Sequence, residues 1–154
     1  MANKTHLPDF TEKNLRLVPL ERSETIPSSW YTDPSMLEVD KKQIFSRTWQ
    51  YIGHISQVQN PGDYIAGAVA GNPIIAVRGK DNIIRAFFNV CRHRGGPIAI
   101  EEHGNCNMLQ CKYHGWTYTL DGMLRGTPKF DRTELFDKRK IGRASCRERV
   151  YVLV

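Results

Sequence analysis

The sequence predicts a mostly β protein: a small antiparallel sandwich or barrel, preceded by an extended arm and one amphipathic helix. Three observations carry that expectation. From Trp49 onward, apolar and β-branched residues fall in short runs without helical spacing. Between the runs stand turn formers: Asn60-Pro61-Gly62-Asp63, Gly71-Asn72-Pro73, Gly79-Lys80-Asp81-Asn82 and Asp121-Gly122. A helical period occurs ahead of them, within residues 34–47. At 154 residues, 40% apolar and 25% charged, the chain has the size and composition of one ordered domain.

Residues 1–29 are polar, carry Pro8, Pro19 and Pro27 and show neither period, so they read as an extended arm. Residues 30–48 form a helical lead-in. Asp33 is placed to cap a helix with Pro34 at its first position, and Ser35–Glu38 offers a competing capping box. Leu37, Ile44 and Phe45 then share one apolar face, giving a helix over about residues 34–47. Residues 49–139 hold the β domain, with strands expected at "WQYIGHI", "DYIAGAVA", "PIIAVRG", "IIRAFFNV", "NMLQCK" and "WTYTL". Residues 140–154 read differently. The string "IGRASCRERV", Ile141 to Val150, resembles the translation of a common DNA-sequencing adapter. A tail of that origin is non-native: the natural sequence is expected to stop near Arg139 with the gene continuing beyond it, and the tail to add nothing to the core. A short basic surface tail is the alternative.

The net charge of +6 comes from scattered lysines and arginines with no basic stripe, which argues against a nucleic-acid partner. No run approaches the roughly 18 apolar residues of a membrane span, and the N-terminus lacks the apolar block of a secretory signal. A cytoplasmic protein is expected, with no membrane partner. In that setting four unevenly placed cysteines point to thiolate or metal chemistry over a disulfide framework.

The stretch "NVCRHRGGPIAIEEHGNCNMLQCKYHGWTY", Asn89 to Tyr118, holds three of the four cysteines and three of the five histidines. Its spacing is Cys91-x-His93, seventeen residues, then Cys111-x-x-His114. Each pair follows a strand-like run and continues into a loop containing glycine, so two ligand loops on neighbouring hairpins can meet at one metal centre. Gly95, Gly96 and Gly115 would let backbone N–H groups approach buried sulfur. Two cysteines and two histidines can hold a tetrahedral zinc ion. Mixed pairs also suit a binuclear cluster with one iron on two thiolates and the other on two imidazoles, a Rieske-type [2Fe–2S] centre, and the spacing favours the cluster.

"CRHRGGP" followed by "CKYHGWTY" resembles the Rieske motif of ring-hydroxylating and related non-haem iron oxygenase large subunits. The likeness extends back through "SWYTDP" and "IFSRTWQYIGH", includes the choline monooxygenase-like branch, and covers about residues 28–130. It implies a Rieske-type β fold over 49–139, with Cys91 and Cys111 on one iron and His93 and His114 on the other. It further implies an electron-transfer module of an oxygenase terminal component, an oxidoreductase supplied by a reductase or ferredoxin. A mononuclear Fe(II), held by two histidines and a carboxylate, would stand in a C-terminal catalytic domain absent from these residues, so no catalytic residue is expected here. The full-length protein would be a homo-oligomer, trimer-like, with His114 directed toward a carboxylate of a neighbouring subunit. Rieske proteins of the respiratory bc complexes carry an extra cysteine in each ligand loop. Gly96 and Tyr113 stand at those places here, which fits the oxygenase or soluble ferredoxin type. A stand-alone Rieske ferredoxin and a redox-inert, zinc-stabilised binding module are the rival readings.

The neighbours have ordinary explanations. Cys106 and His103 read as turn or packing residues, His54 as a hydrogen-bonded structural histidine, and His6 as part of the arm. Trp116 is expected in the core, where it can also keep water from the centre. Arg92, Arg94 and Lys112 are either a solvated surface or a docking patch for an acidic electron donor.

Overall fold

The structure is a computed structural model and describes residues 18–130, 133–142, 144 and 150–153, the last four by their backbone. The chain divides between Thr48 and Trp49 into two compact units. Among the described residues no helix is long and apolar enough to cross a membrane.

The first unit is helical. A 3-10 turn at Leu20–Arg22 interrupts the segment expected to be extended. A short helix α1 (Ser29–Thr32) precedes α2 (Pro34–Asp40). Asp33 caps α2 as expected, its Oδ1 accepting from the Ser35 N–H at 2.8 Å, with Pro34 in the first turn. The rival capping box does not form, because Glu38 pairs instead with Lys41 at 2.7 Å. That ammonium also holds the Glu38 carboxyl below its usual range. The predicted single helix continues beyond α2 as a π turn, Lys41–Phe45, closed by the Ser46 N–H on the Lys41 carbonyl at 3.0 Å. Ser46 and Thr48 turn their hydroxyls back onto the carbonyls of Lys42 and Ile44, at 2.5 and 2.9 Å, a competition with regular helix bonding that ends the element. Leu37 and Ile44, expected on a buried face, stay about half exposed at 50% and 49%.

The second unit is built on an antiparallel sheet in the order β4-β3-β2-β5, from β2 (Asp63–Val69), β3 (Asn72–Arg78), β4 (Ile84–Phe88) and β5 (His103–Asn105). A second antiparallel sheet, β6-β7-β8, comprises Leu109–Gln110, Thr117–Tyr118 and Leu124–Gly126. The mostly antiparallel β class predicted from the runs and turns is what the chain adopts. On β3 the four residues Ile74, Ile75, Ala76 and Val77 are all fully buried. Both faces of the strand are therefore covered, and the two-residue alternation sorts them. Ile75 and Val77 join Phe87, Ile98, Leu109, Trp116 and Tyr118 in the main core, while Ala76 faces Val58 and Ile65 in a smaller one.

Strand β8 lies outside the expected runs, and two further features depart from the expectation. Strand β5 has the sequence His-Gly-Asn, all exposed, with no β signal of its own. It is a strand because β2 pairs with it and because the Asn105 Nδ2 donates to Asp63 Oδ1 at 2.7 Å. The second departure is the tail. Ile141, at the end of α3 (Lys138–Ile141), packs on the main core, and Ala144 is buried with its N–H on the Gly122 carbonyl at 2.7 Å. Residues Val150–Leu153 form β9, paired in parallel with β1 (Gln50–His54). The expectation that this tail adds nothing to the core is thus corrected. Backbone pairing and a small apolar residue ask little of a particular sequence, so even an unrelated string can satisfy them.

The turn at Asp121-Gly122 locks the second sheet to the core. Gly122 has φ of +91°, and a Cβ there would lie 2.6 Å from Phe87 Cε1. Gly122→Ala is therefore expected to destabilise the domain by about 1–3 kcal/mol, from backbone strain and displacement of a buried ring. A denaturant titration showing an unchanged midpoint would refute this packing.

Candidate metal centre

Both ligand loops leave the end of a strand. Strand β4 runs into the loop that holds Cys91 and His93, and β6 runs into the loop that holds Cys111 and His114. Their backbones close identically. The Cys91 N–H donates to the Gly96 carbonyl at 2.8 Å and the Gly95 N–H to the Cys91 carbonyl at 3.0 Å. In the second loop the Cys111 N–H donates to Trp116 at 2.8 Å and the Gly115 N–H to Cys111 at 3.0 Å. The glycines four residues after each cysteine, Gly95 and Gly115, have φ of +70° and +73°, the left-handed turn such a closure needs.

The closures bury the sulfurs and bring the predicted ligands together in pairs, Cys91 with Cys111 and His93 with His114. Cys91 and Cys111 are each 2% exposed, and neither is in a disulfide. Burial pushes the Cys91 thiol up, and the neighbouring Cys111 thiol adds to that, against a hydrogen bond from Tyr118 that favours thiolate. The Tyr118 hydroxyl stands 3.3 Å from the Cys91 sulfur and accepts the Arg92 N–H at 3.1 Å. Burial, then the Cys91 contact, holds this phenol far above its usual range, so it keeps its proton and can donate to a thiolate beside it.

The imidazoles meet on the outer side, with ring centroids 4.7 Å apart at 68°. His93 is half-buried, stacked on Trp116 at 4.7 Å and 7°, with Phe130 edge-on at 5.6 Å. Its Nδ1 is buried without a hydrogen-bond partner among the described residues. Burial, then His114 and Arg94, lowers its pKa and favours the neutral ring a metal requires. His114 is exposed beneath the ring of Tyr113, at 3.8 Å. The loops touch at Gly96, where a Cβ would fall 3.0 Å from Tyr113 Cβ and 3.3 Å from Cys111 Sγ.

The donors therefore form two two-ligand ends, thiols inside and imidazoles outside. Among the described residues no three side chains converge as ligands of one ion. The other singled-out residues lie apart. His103 sits on β5 and Cys106 is half-buried at the edge of the core. His54 caps the 3-10 turn Ile55–Gln57, its Nδ1 accepting the Ser56 N–H at 3.2 Å. His6 falls outside the described residues. Trp116, 2% exposed, is core and ring support at once. Arg92, Arg94 and Lys112 are exposed around the loops. Sequence reasoning passed over Tyr118 and Phe130; an aromatic seven residues after Cys111, inside a run read only as strand, was the available signal for Tyr118.

The chain has recognisable relatives among known proteins. Residues 48–137 match the Rieske [2Fe-2S] domain family. The chain is 40% identical over 114 residues to the carnitine monooxygenase oxygenase subunit of Acinetobacter baumannii, covering 74% of this chain and 31% of that one. It is 38% identical over 110 residues to biphenyl dioxygenase subunit alpha of Paraburkholderia xenovorans, covering 71% and 24%. Among solved structures, the apo form of the quaternary ammonium Rieske monooxygenase CntA superposes with a TM-score of 0.72 at 39% identity, over 78% of this chain and 35% of that chain. Naphthalene 1,2-dioxygenase from Rhodococcus sp. superposes at 0.73 with 31% identity, over 79% and 28%. The chain spans about a third or less of the length of these relatives.

Proposed function

The chain belongs to the Rieske [2Fe-2S] domain family, and on that premise we propose that Cys91, His93, Cys111 and His114 together hold one [2Fe–2S] cluster. Cys91 and Cys111 would bind one iron as thiolates, His93 and His114 the other through imidazole nitrogen. The observation that carries this reading is the buried, unpartnered Nδ1 of His93, which faces a polar-group penalty that a bond to iron removes. A zinc site would need four donors around one ion, and among the described residues no three side chains converge on one. When bound, the cluster supplies one-electron transfer at a potential raised by its imidazole ligands. The chain's own residues shape that property. Tyr118 would donate to the Cys91 thiolate, Trp116 and Phe130 cover His93, and His114 alone of the four proposed ligands stands open to solvent.

The domain is assigned to 49–139, after an arm at 1–29 and a lead-in at 30–48, with 140–154 a non-native tail beyond the family match. In the whole protein this module would serve an oxygenase terminal component. It would take electrons from a reductase or ferredoxin and pass them to a mononuclear Fe(II) in a C-terminal catalytic domain. The support is that its relatives are oxygenase subunits, and that one solved relative is described by inter-subunit electron transfer. The reading includes a trimer-like homo-oligomer at full length with His114 as the exit; the inter-subunit electron transfer of that relative supports an assembly of subunits. Substrate choice would rest with the catalytic domain. A cytoplasmic setting suits the free thiols of Cys91, Cys106 and Cys111.

Two measurements test the centre. Anaerobically purified chain is expected to be reddish-brown with a paramagnetic reduced state, and Cys111→Ser to lose both; a colourless wild type with bound zinc, or a fully retained signal in the variant, would overturn the assignment. Tyr118→Phe is expected to keep the cluster but lower its midpoint potential. The lost hydrogen bond favours the more negative reduced state, and about 1 kcal/mol corresponds to about 40 mV for one electron. Protein-film voltammetry giving an unchanged potential would remove Tyr118 from this role.

A further inference from the structure

The two ligand loops share a closure but not a support. The second is the tip of a hairpin: Gln110 and Thr117, on either side of it, are paired across β6 and β7. The first has no such frame. Beyond Gly96 comes Pro97, which has no N–H to give, and residues 97–102 belong to no strand.

Asn89 fills that gap with its side chain. Its Oδ1 accepts from the N–H groups of Ile98 and Ala99 at 3.0 and 2.8 Å, and its Nδ2 donates to the Ala99 carbonyl at 2.7 Å. Three of the four hydrogen-bonding valences of one half-buried amide are thus spent on the returning limb of the loop. Its backbone N–H donates to the Pro73 carbonyl at 2.9 Å, tying the same residue to β3. The segment between Asn89 and Ile98 carries Cys91, His93 and the inter-loop contact Gly96.

We infer that Asn89 is a positioning residue for the metal centre, a side-chain substitute for the strand pair that the first ligand loop lacks. Its carboxamide fixes where Cys91 and His93 stand relative to Cys111 and His114. The inference rests on the cluster reading for its consequence, and on the hydrogen bonds alone for the clamp.

Hydrogen exchange on the purified chain reads the clamp directly. Asn89→Ala is expected to speed exchange of the Ile98, Ala99 and Cys91 amides about tenfold or more, leaving those of Cys111 and Gly115 unchanged. The same variant should release iron to a chelator about tenfold faster and broaden the reduced-state paramagnetic line. Asn105→Ala, which removes a carboxamide bonded to Asp63 and Pro61 instead, should move neither property. If Asn89→Ala does not fold, Asn89→Asp decides. It keeps both acceptor bonds but sets an oxygen against the Ala99 carbonyl, and should show the same changes at smaller size. Equal exchange in both loops, wild-type release and line shape, or equal effects from Asn105→Ala would each overturn the inference. A wild type without an iron–sulfur spectrum would overturn the cluster reading instead, while the exchange pattern would still decide the clamp.

Discussion

The hydrogen bond from the Cys91 N–H to the Gly96 carbonyl, and its counterpart from Cys111 to Trp116, fix the sulfurs on which the rest of this domain is arranged. Each bond curls a loop so that its cysteine points inward. The main core is packed to receive them: Phe87, Ile98, Leu109 and Tyr118 stand in one cluster with both cysteines. Buried thiol is tolerable because sulfur is nearly apolar when protonated, and buried thiolate only if charge is placed beside it. The domain therefore makes full structural sense as the holder of a positively charged inorganic centre.

Around that inner pair the site is deliberately unequal. His93 lies between Trp116 and Phe130, while His114 has one face under Tyr113 and the rest in solvent. A half-buried ring held by stacking has its orientation set by packing, whereas an exposed ring takes its orientation from whatever binds it. The inner imidazole is thus set in place by the domain itself, and the outer one is left open to solvent.

The candidate ligands were legible because residue type and spacing are local properties. Cys91-x-His93 and Cys111-x-x-His114 can be read without knowing a contact. The equivalence of the two loops was hidden, since the histidines sit two and three residues after their cysteines although the backbones close alike. The longer strands were legible for the same reason as the ligands: runs such as "PIIAVRG" carry β propensity and burial together. Strand β5 was not, because His-Gly-Asn becomes a strand only through its neighbour β2. Asn89 was invisible in the same way. It stands at the end of an apolar run, and only the fold reveals that its amide reaches residues nine and ten positions on. The helix start at Asp33 was readable as a cap, but the π turn that follows depends on hydroxyls competing for carbonyls.

At the contact between Gly96 and Tyr113 the loops meet side chain against backbone, with nothing covalent spanning them. Thiol–disulfide exchange has nothing to cut at such a joint. The loops are held against each other there by packing alone, and dispersion contacts are individually small. The ring of Tyr113, which also lies over His114 at 3.8 Å, therefore couples that packing contact to the position of an exposed imidazole.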